Sequence, residues 1–379
     1  MKKIFFWSPY NTNIGTINSV LNSIQSIKKF SKNKYEPYLI NSIGEWSNYK
    51  DQCKLINLES NFFNLFKMPS NGKILSRIFY ILIFITNFLS LKKLIETSRP
   101  SFFIAHLITS LPLVLFIFFN FDTKLILRIS GEPDLNIFRK TLWKLASHKI
   151  FCITCPSKET ADYLKKNNIF PSTKIKLLLD PVIDIKQIIN NNKKPINTEH
   201  KNFKFMLSIG RLTKQKNFEF LIKVFSKINK NYPDLKLIIL GEGELLFNLT
   251  NKINELNLNS TVFLAGFKKN IFNYLNKAEC LVLPSIYENP GHVLMEAAAS
   301  NCPIISSNCP TGPAEFLDYG AGGYIFDVDN EIDLFKKVEL FLNDSIDNIK
   351  LKKIIAKKKS IKYTKYRHYF ELDKILLNK

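Results

Sequence analysis

The sequence predicts an α/β protein built from two doubly wound, parallel-sheet domains. Short apolar runs rich in β-branched residues recur along the chain, and helix-length segments separate them, the pattern of parallel sheets covered on both faces. A polar segment without periodicity interrupts this rhythm once. With 379 residues, 46% of them hydrophobic, each half is long enough to bury its own core. We therefore expect a ligand cleft between the halves, at the carboxyl ends of the strands.

The predicted elements define the domain boundaries. Helical spacing is clear in Asn217–Lys230, where one apolar stripe is formed by Phe218, Leu221, Ile222, Phe225 and Ile228. The polar interruption is 190–202 (NNNKKPINTEHKN), which is typical of an interdomain linker. The predicted strands are 3–7, 35–41, 102–107, 124–129, 150–155 and 175–179 in the first half, and 203–209, 235–240, 262–265, 280–283, 303–306 and 324–328 in the second. The predicted domains are 1–190 and 203–359, with a linker over 191–202 and a closing helix at about 360–379 that packs back on the first domain.

The chain has a formal net charge of +22, which suits an anionic partner. Only six of its 54 basic residues are Arg, and Asn, Ile and Phe are abundant, so part of this charge reflects an AT-rich coding sequence. Residues 1–200 hold 28 basic and 13 acidic side chains, against 26 and 19 in the remainder. The first half is therefore the better candidate for facing an anionic surface. A nucleic-acid binder would cluster its cations with aromatics, whereas these lysines are dispersed.

Three apolar or cysteine-bearing segments have alternative interpretations. Ile78–Leu91 is shorter than the roughly 20 residues that a spanning helix needs, and a buried helix is favoured over an interfacial one. Phe102–Phe119 contains His106 and Pro112 and is predicted to be a core strand plus a core helix, so no membrane-spanning segment is predicted. Cys152 and Cys155 lie in a predicted buried strand, which favours buried thiols over a redox or zinc site.

Candidate chemistry in the second half begins in the loop after the strand at 203–209. This loop carries Arg211 and Lys216 and leads into a helix. Two cations beside a helix N-terminus suit a diphosphate, because Arg offers a planar fork and Lys a point charge. A G-x-G turn at Gly241 and Gly243 follows the next strand but is weak evidence alone.

A second constellation is 284–296 (PSIYENPGHVLME), with two Glu residues separated by seven positions. Asn289 is a good N-cap and Pro290 suits the first helical position, so Glu288 is predicted to lie just outside a helix, at the cleft mouth. Glu296, about two turns into the helix, would accept hydrogen bonds from neutral hydroxyls. Amides at the positive end of the helix dipole would face a bound phosphate. These amides belong to Gly291, His292 and Val293.

With these residues in place, the second half resembles the family 4 retaining glycosyltransferases of the GT-B fold. The resemblance rests on the G-R-L-x(4)-K loop, the E-x(7)-E element before A-A-A-S-N-C-P-I-I, and the Thr311–Glu315 segment, and it covers Ser208 to about Val328. It implies that Arg211 and Lys216 grip the donor diphosphate together with the amides of 291–293. It also implies that Glu288 touches the donor sugar beside its reacting carbon and that Glu296 binds the nucleotide ribose.

The first half diverges more from this family. His106 resembles the family's His that follows a strand and reaches the donor sugar, although a lone His at a strand end is commonly structural. Where the family has two adjacent Gly residues after the first strand, only Gly15 is present, and the resemblance implies that it contributes to donor binding. Pro290 stands where the family often has Phe, and Ala314 where it often has Arg. The Pro keeps the helix start intact, and the Ala removes one possible ligand contact.

The resemblance implies a metal-independent, retaining transfer of a hexose or N-acetylhexosamine from a nucleotide sugar, with uridine favoured over guanosine as its base. No cofactor or D-x-D-like metal pair is predicted. The expected partners are the donor and a glycan acceptor, lipid-linked in surface polysaccharide, O-antigen or lipopolysaccharide synthesis. The expected location is the cytoplasm, peripheral on the inner membrane face. One alternative is a glycosyltransferase with a soluble acceptor, of the glycogen or trehalose type. A nucleotide-sugar epimerase or NAD dehydrogenase has less support, because the first βα turn has no G-x-G-x-x-G motif. The third alternative is the basic nucleic-acid binder.

Overall fold

The computed structural model describes residues 1–10, 15–58, 73–131, 133–196, 200–288 and 290–378. The chain divides into two compact units. The first comprises Met1–Pro181 together with Lys365–Lys379, and the second comprises Val182–Thr364. The sequence placed this division at residue 190, whereas the structure places it between Pro181 and Val182.

The first unit is built on a parallel sheet, in the strand order β3-β2-β1-β4-β5-β6-β7. On β1, Phe5 and Trp7 enter one core layer while Ile4 and Phe6 enter the other. Both faces of the sheet are therefore buried, which explains why its strands are continuous apolar runs. The strands are β1 (Lys2–Trp7), β2 (Tyr35–Asn41), β3 (Lys54–Asn57), β4 (Phe102–Ala105), β5 (Lys124–Arg128), β6 (Ile150–Cys155) and β7 (Ile175–Leu177).

Helices cover both faces of this sheet. The last of them, α14, packs against α1, although the two lie at opposite ends of the sequence. His368 on α14 is buried and contacts Ser23 Oγ on α1 at 2.8 Å and the Leu179 carbonyl oxygen at 2.7 Å. The helices are α1 (Gly15–Phe30), α2 (Lys73–Ser98), α3 (Ser110–Phe118), α4 (Ile137–Ala146), α5 (Lys158–Lys166) and α14 (Lys365–Leu376).

The second unit repeats the design, with a parallel sheet in the order β10-β9-β8-β11-β12-β13. Because β8 pairs with both β9 and β11, the strand order reverses at β8, and such switch points are where doubly wound sheets bind ligands. The strands are β8 (Lys204–Ile209), β9 (Leu235–Leu240), β10 (Val262–Leu264), β11 (Cys280–Leu283), β12 (Ile304–Ser307) and β13 (Tyr324–Phe326).

The helices of the second unit follow the predicted rhythm. Helix α7 buries Phe218, Leu221, Ile222, Phe225 and Ile228, the stripe that its periodicity predicts. The helices are α6 (Ile185–Asn192), α7 (Phe218–Asn231), α8 (Leu246–Glu255), α9 (Phe272–Lys277), α10 (His292–Ala299), α11 (Pro313–Phe316), α12 (Glu331–Leu342) and α13 (Ile346–Ser360).

Two details differ from the sequence-based expectation. The edge strand β3 was not predicted, because its residues are only partly buried and form no apolar run. The apolar segment at 78–91 belongs to the longer helix α2, in which an 18-residue window within Arg77–Ser98 has a mean hydropathy of 1.8. Among the described residues this is the one helix long and apolar enough to cross a membrane, so its length does not exclude a spanning helix.

Cys152 and Cys155 are both buried on β6, as predicted for structural thiols. Cys152 lies in the core layer of Ile4 and Phe6, and Cys155 lies in the layer of Phe5. Residues three apart on a strand face opposite sides of the sheet, so these thiols cannot bind one metal or form a disulfide. Burial raises the pKa of Cys152 to about 12 and that of Cys155 to about 11, which keeps both thiols protonated.

Candidate active site

The cationic loop follows β8 at the switch point of the second sheet. Lys216 ends a 3-10 turn at Lys214–Lys216, and its side chain is 15% exposed. A Cβ atom on Gly210 would lie 3.1 Å from Cδ and Cε of Lys216, so this glycine leaves room for the lysine stem. The Arg211 guanidinium is exposed and makes no hydrogen bond or ion pair with any described residue. It is therefore a cation available to a ligand.

Two glycines after β9 hold this cationic loop in place. A Cβ atom on Gly241, whose φ is +149°, would lie 1.8 Å from the Gly210 carbonyl oxygen, and one on Gly243 would lie 2.4 Å from that of Leu212. The close approach permits two backbone hydrogen bonds, from Leu212 N to Glu242 O at 2.9 Å and from Leu245 N to Leu212 O at 3.0 Å. The G-x-G turn, which was weak evidence in the sequence, thus fixes the backbone that carries Arg211.

The segment after β11 is tied to the same loop. Ile286 N donates to the Gln215 carbonyl oxygen at 2.9 Å, and Gln215 Nε2 donates to the Tyr287 carbonyl oxygen at 2.9 Å. On its other side, Glu288 N donates to the Pro310 carbonyl oxygen at 3.2 Å, and the Thr311 hydroxyl donates to the Glu288 carbonyl oxygen. These contacts hold Glu288 in a fixed position, and no motif in the sequence pointed to Gln215 as a participant.

Glu288 is more deeply enclosed than the sequence predicted, since the residue is only 4% exposed. Its Oε1 atom accepts hydrogen bonds from Lys216 Nζ at 2.5 Å and from Ser285 Oγ at 2.6 Å. The Ser285 side chain is itself fully buried, and its carbonyl oxygen accepts from Ser307 Oγ at 2.6 Å. The structure thus joins Lys216 and Glu288, which the sequence assigned to separate tasks. Ser285 was missed, although its position three residues before Glu288 could have drawn attention to it.

The helix after this segment begins later than predicted. Helix α10 starts at His292, with Gly291 at the N-cap in the left-handed region at φ +80°, so Pro290 precedes the helix and is not its first residue. Pro290 instead packs against Gly312, where a Cβ atom would lie 3.0 Å from Pro290 Cβ. The proposed cap, Asn289, lies outside the described residues. The first turn still presents the amides of 291–293, which have no partner within a helix.

Glu296 lies one turn into α10 and not two, because the helix begins at His292. Its side chain is partly buried, and burial raises its pKa to about 7, while the nearby His292 partly opposes this shift. The carboxyl group is therefore about half protonated at neutral pH and can donate to a hydroxyl as well as accept from one.

The first unit holds the other two predicted site residues. Gly15 begins α1, and residues 11–14 of the preceding loop lie outside the described residues. His106 directly follows β4 and is 8% exposed, and its Nδ1 atom has no hydrogen-bond partner among the described residues. Burial, aided by the nearby Arg128 guanidinium, lowers its pKa to about 3, so the imidazole is neutral at physiological pH.

His106 also lines a small cavity within the first unit, and Arg128, Asp180 and His368 are among the other residues that line it. Arg128 is 3% exposed and forms an ion pair of 2.6 Å with Asp180. Among the described residues, no three His, Cys, Asp or Glu side chains group together in a way that would hold a metal ion. The predicted contact between His106 and the donor sugar stays a prediction.

Comparison with known proteins places this geometry in a family. Residues 189–360 match the family model for glycosyl transferases of group 1. The chain is similar to an uncharacterised glycosyltransferase of Methanocaldococcus jannaschii, with 31% identity over 330 residues that cover 81% of this chain and 76% of that one. It is also similar to the N-acetylgalactosamine-N,N'-diacetylbacillosaminyl-diphospho-undecaprenol 4-alpha-N-acetylgalactosaminyltransferase of Campylobacter jejuni, with 30% identity over 60% of this chain and 62% of that one.

A solved structure shares the architecture of the whole chain. Anabaena HepE, crystallised with UDP and glucose, superimposes with a TM-score of 0.75 and covers 100% of both chains. The sequence identity is 14%, so the likeness concerns the fold alone.

Proposed function

This chain belongs to the glycosyl transferases of group 1 and has the GT-B fold, and we propose that it transfers a hexose or N-acetylhexosamine from a nucleoside diphosphate sugar to a glycan acceptor with retention of the anomeric configuration and without a metal. Membership of this family removes the nucleotide-sugar epimerase, the NAD dehydrogenase and the nucleic-acid binder as alternatives. The acceptor, the donor and the stereochemistry form the proposal.

One observation carries the assignment of the donor site. Arg211 and Lys216 share a loop at the switch point of the sheet, and the Glu288 carboxylate lies 2.5 Å from the Lys216 ammonium. A lysine ammonium has three donors, so Lys216 can keep Glu288 and also contact a phosphate oxygen. The exposed Arg211 offers its fork to the same diphosphate. Preplaced cations stabilise the charge that develops on a leaving diphosphate, which is the task that a metal performs in other enzymes.

The proposed reaction needs no cofactor. The bond between the anomeric carbon and the β-phosphate oxygen breaks, and a bond from the acceptor hydroxyl oxygen to the same face of that carbon forms. The hydroxyl proton passes to the leaving β-phosphate, so the products are a glycoside and a nucleoside diphosphate. In this arrangement Glu288 lies beside the donor sugar, and Glu296 accepts a hydrogen bond from a ribose hydroxyl or donates one to it. The amides of Gly291, His292 and Val293 add dipoles at the phosphates.

The acceptor that we propose is a lipid-linked glycan of surface polysaccharide synthesis. The C. jejuni relative acts, by its name, on a diphospho-undecaprenol-linked sugar, and another relative, from Erwinia amylovora, is an amylovoran biosynthesis glycosyltransferase. The proposed donor carries UDP in preference to GDP. Such acceptors reside in a membrane, so the proposed location is the inner membrane face.

The test is a donor and acceptor panel with the purified protein. Release of UDP or GDP is measured for each nucleotide sugar, with a lipid-linked acceptor, with a soluble oligosaccharide, and with water alone. We expect release that depends on the lipid acceptor and persists in excess EDTA, and proton NMR of the product should show the donor's anomeric configuration. Turnover with the soluble acceptor alone would favour an enzyme of the glycogen or trehalose type. An inverted product, or loss of activity in EDTA, would overturn the mechanism.

A further inference from the structure

Helix α2 of the first unit has an unusual pair of faces. Every fourth residue from Phe79 through Ile83, Asn87 and Leu91 to Ile95 is buried, and the apolar members of this stripe pack into the core of the unit. Asn87 is fully buried, and its amide donates to the Ile83 carbonyl oxygen at 3.0 Å. This face fastens α2 along the surface of the unit.

The opposite face is also apolar, although it is exposed. Ile78, Ile81, Ile85 and Leu89 are spaced by three, four and four residues and are 46%, 58%, 66% and 75% exposed. A surface helix of a globular protein normally presents polar side chains there, and a contiguous apolar patch marks an interaction site. We name these four residues the α2 outer stripe.

One face of α2 is held in the protein core and the other is exposed, and this difference distinguishes a helix that lies on a membrane from one that crosses it. By composition α2 could span a bilayer, but 28% of its apolar window is buried within the unit. A spanning orientation would require its inner stripe to leave the protein core. A helix that keeps the inner stripe in the core and immerses the outer stripe at the lipid boundary satisfies both faces.

Positive charge borders the α2 outer stripe. Arg77 precedes it, Lys93 follows Leu89 by one helical turn on the same side, and Arg99 lies just beyond the helix; all three are exposed. The first unit as a whole holds 29 basic and 13 acidic residues, against 25 and 19 in the second unit. Basic residues beside a membrane-facing segment are attracted by anionic lipids, and each contributes a separate increment.

We propose that the α2 outer stripe docks the protein on an anionic membrane surface, with Ile81, Ile85 and Leu89 at the boundary between headgroups and acyl chains. The partner is the lipid surface itself. The inference goes beyond the proposed function, because the docking does not depend on which sugar is transferred or on whether the acceptor is lipid-linked. It would bring the enzyme to any acceptor that is anchored in the same leaflet.

The experiment is vesicle flotation of the full chain, with phosphatidylcholine vesicles and with vesicles that contain phosphatidylglycerol, at low and high salt. We expect binding to the anionic vesicles that weakens with salt. The variant Ile85→Gln/Leu89→Gln should bind about 10-fold more weakly or worse, because it removes apolar side chains from the boundary. The matched control is Ile332→Gln/Ile346→Gln in the second unit, where the two residues are 67% and 71% exposed, and it should bind like the wild type.

Three results would overturn the docking proposal. Equal flotation of both double variants would show that the α2 outer stripe does not contact the membrane. A dimer in the absence of lipid that the α2 variant alone abolishes, seen by light scattering, would make a second copy of the chain the occupant. Resistance to alkaline carbonate extraction would identify a spanning helix. The affinity for UDP, measured by calorimetry without lipid, should be the same in the wild type and the α2 variant. A wild type that floats with vesicles but binds no UDP would contradict the proposed transferase activity alone, so the two failures are separable.

Discussion

The Lys216 ammonium lies 2.5 Å from Oε1 of Glu288, and both side chains are largely buried, 15% and 5% exposed. Seventy-two positions of sequence separate them, and they meet because parallel strands β8 and β11 are neighbours at the switch point. The ion pair means that one cation of the candidate donor site is already balanced by the protein, whereas Arg211 is not. The two cations should therefore differ in what their removal does.

Removing Arg211 should impair catalysis and leave the fold intact. The guanidinium is exposed and makes no hydrogen bond or ion pair with a described residue, so Arg211→Ala should not lower the unfolding temperature. Loss of one preplaced donor to the leaving diphosphate should reduce kcat by about 10²–10³-fold. The measurement is nucleoside diphosphate release at saturating donor. Lys214→Ala, an exposed cation in the same loop, is the matched control and should retain wild-type turnover. Equal rates for both variants would show that Arg211 does not contribute to the reaction.

Removing Lys216 should also cost stability. Lys216→Ala leaves the Glu288 carboxylate buried without its cation, and breaking a buried pair from one side costs about 3–5 kcal/mol. Lys216→Met combined with Glu288→Gln leaves no uncompensated charge, so this double variant should be closer to the wild type in unfolding free energy. Urea denaturation of the single and double variants measures the difference. If Lys216→Ala unfolds at the wild-type midpoint, the ion pair does not stabilise the protein. The double variant should be inactive in any case.

The sequence predicted the site's residue types better than their roles. Apolar runs and helical periodicity predicted the strands of both sheets except β3, because buried parallel strands are continuous in sequence whereas an edge strand is half-exposed. The motif residues Arg211, Lys216 and Glu288 could be named because Arg is rare here and the Glu spacing is distinctive. The Lys216–Glu288 pair and the Ser285 contact could not be predicted, because they depend on how deeply the loop after β11 is buried in the second unit. The start of α10 was misplaced because the backbone of Gly291, and not a side-chain cap, sets it.

A methyl group at Gly241 should disrupt the cationic loop. The added Cβ would lie 1.8 Å from the Gly210 carbonyl oxygen, so the loop that carries Arg211 must move. Gly241→Ala should therefore lower both the unfolding free energy, by more than about 3 kcal/mol, and the affinity for the nucleoside diphosphate. The control is Gly320→Ala, where φ is +106° but no atom lies within 4 Å, so only the backbone strain of about 1–2 kcal/mol applies. Calorimetry with UDP and thermal unfolding measure the two effects. Similar losses in both variants would show that the close approach to Gly210 is unimportant.

Glu296 should make stability depend on pH in a direction opposite to that of an ion-paired carboxylate. Burial raises the pKa of Glu296 from 4.5 to about 7 in the folded protein. Below pH 4.5 the group is protonated in both states, and the folded state has its full stability from this group. As the pH rises towards 7, the unfolded chain releases its proton first, so the folded state loses up to about 3 kcal/mol, and above pH 7 the loss is complete.

Glu296→Gln isolates this contribution, since Glu45, whose pKa burial also raises to about 7, is unchanged in the variant. We expect the variant to match the wild type in unfolding free energy at pH 4.5 and to exceed it at pH 8, as measured by urea denaturation across that range. A difference that is constant with pH would mean that Glu296 is ionised throughout. The substitution should weaken nucleotide binding, because Gln replaces one of the two acceptor oxygens of the carboxylate with an NH2 donor and carries no charge. The wild type should therefore bind UDP more tightly at pH 8 than the variant.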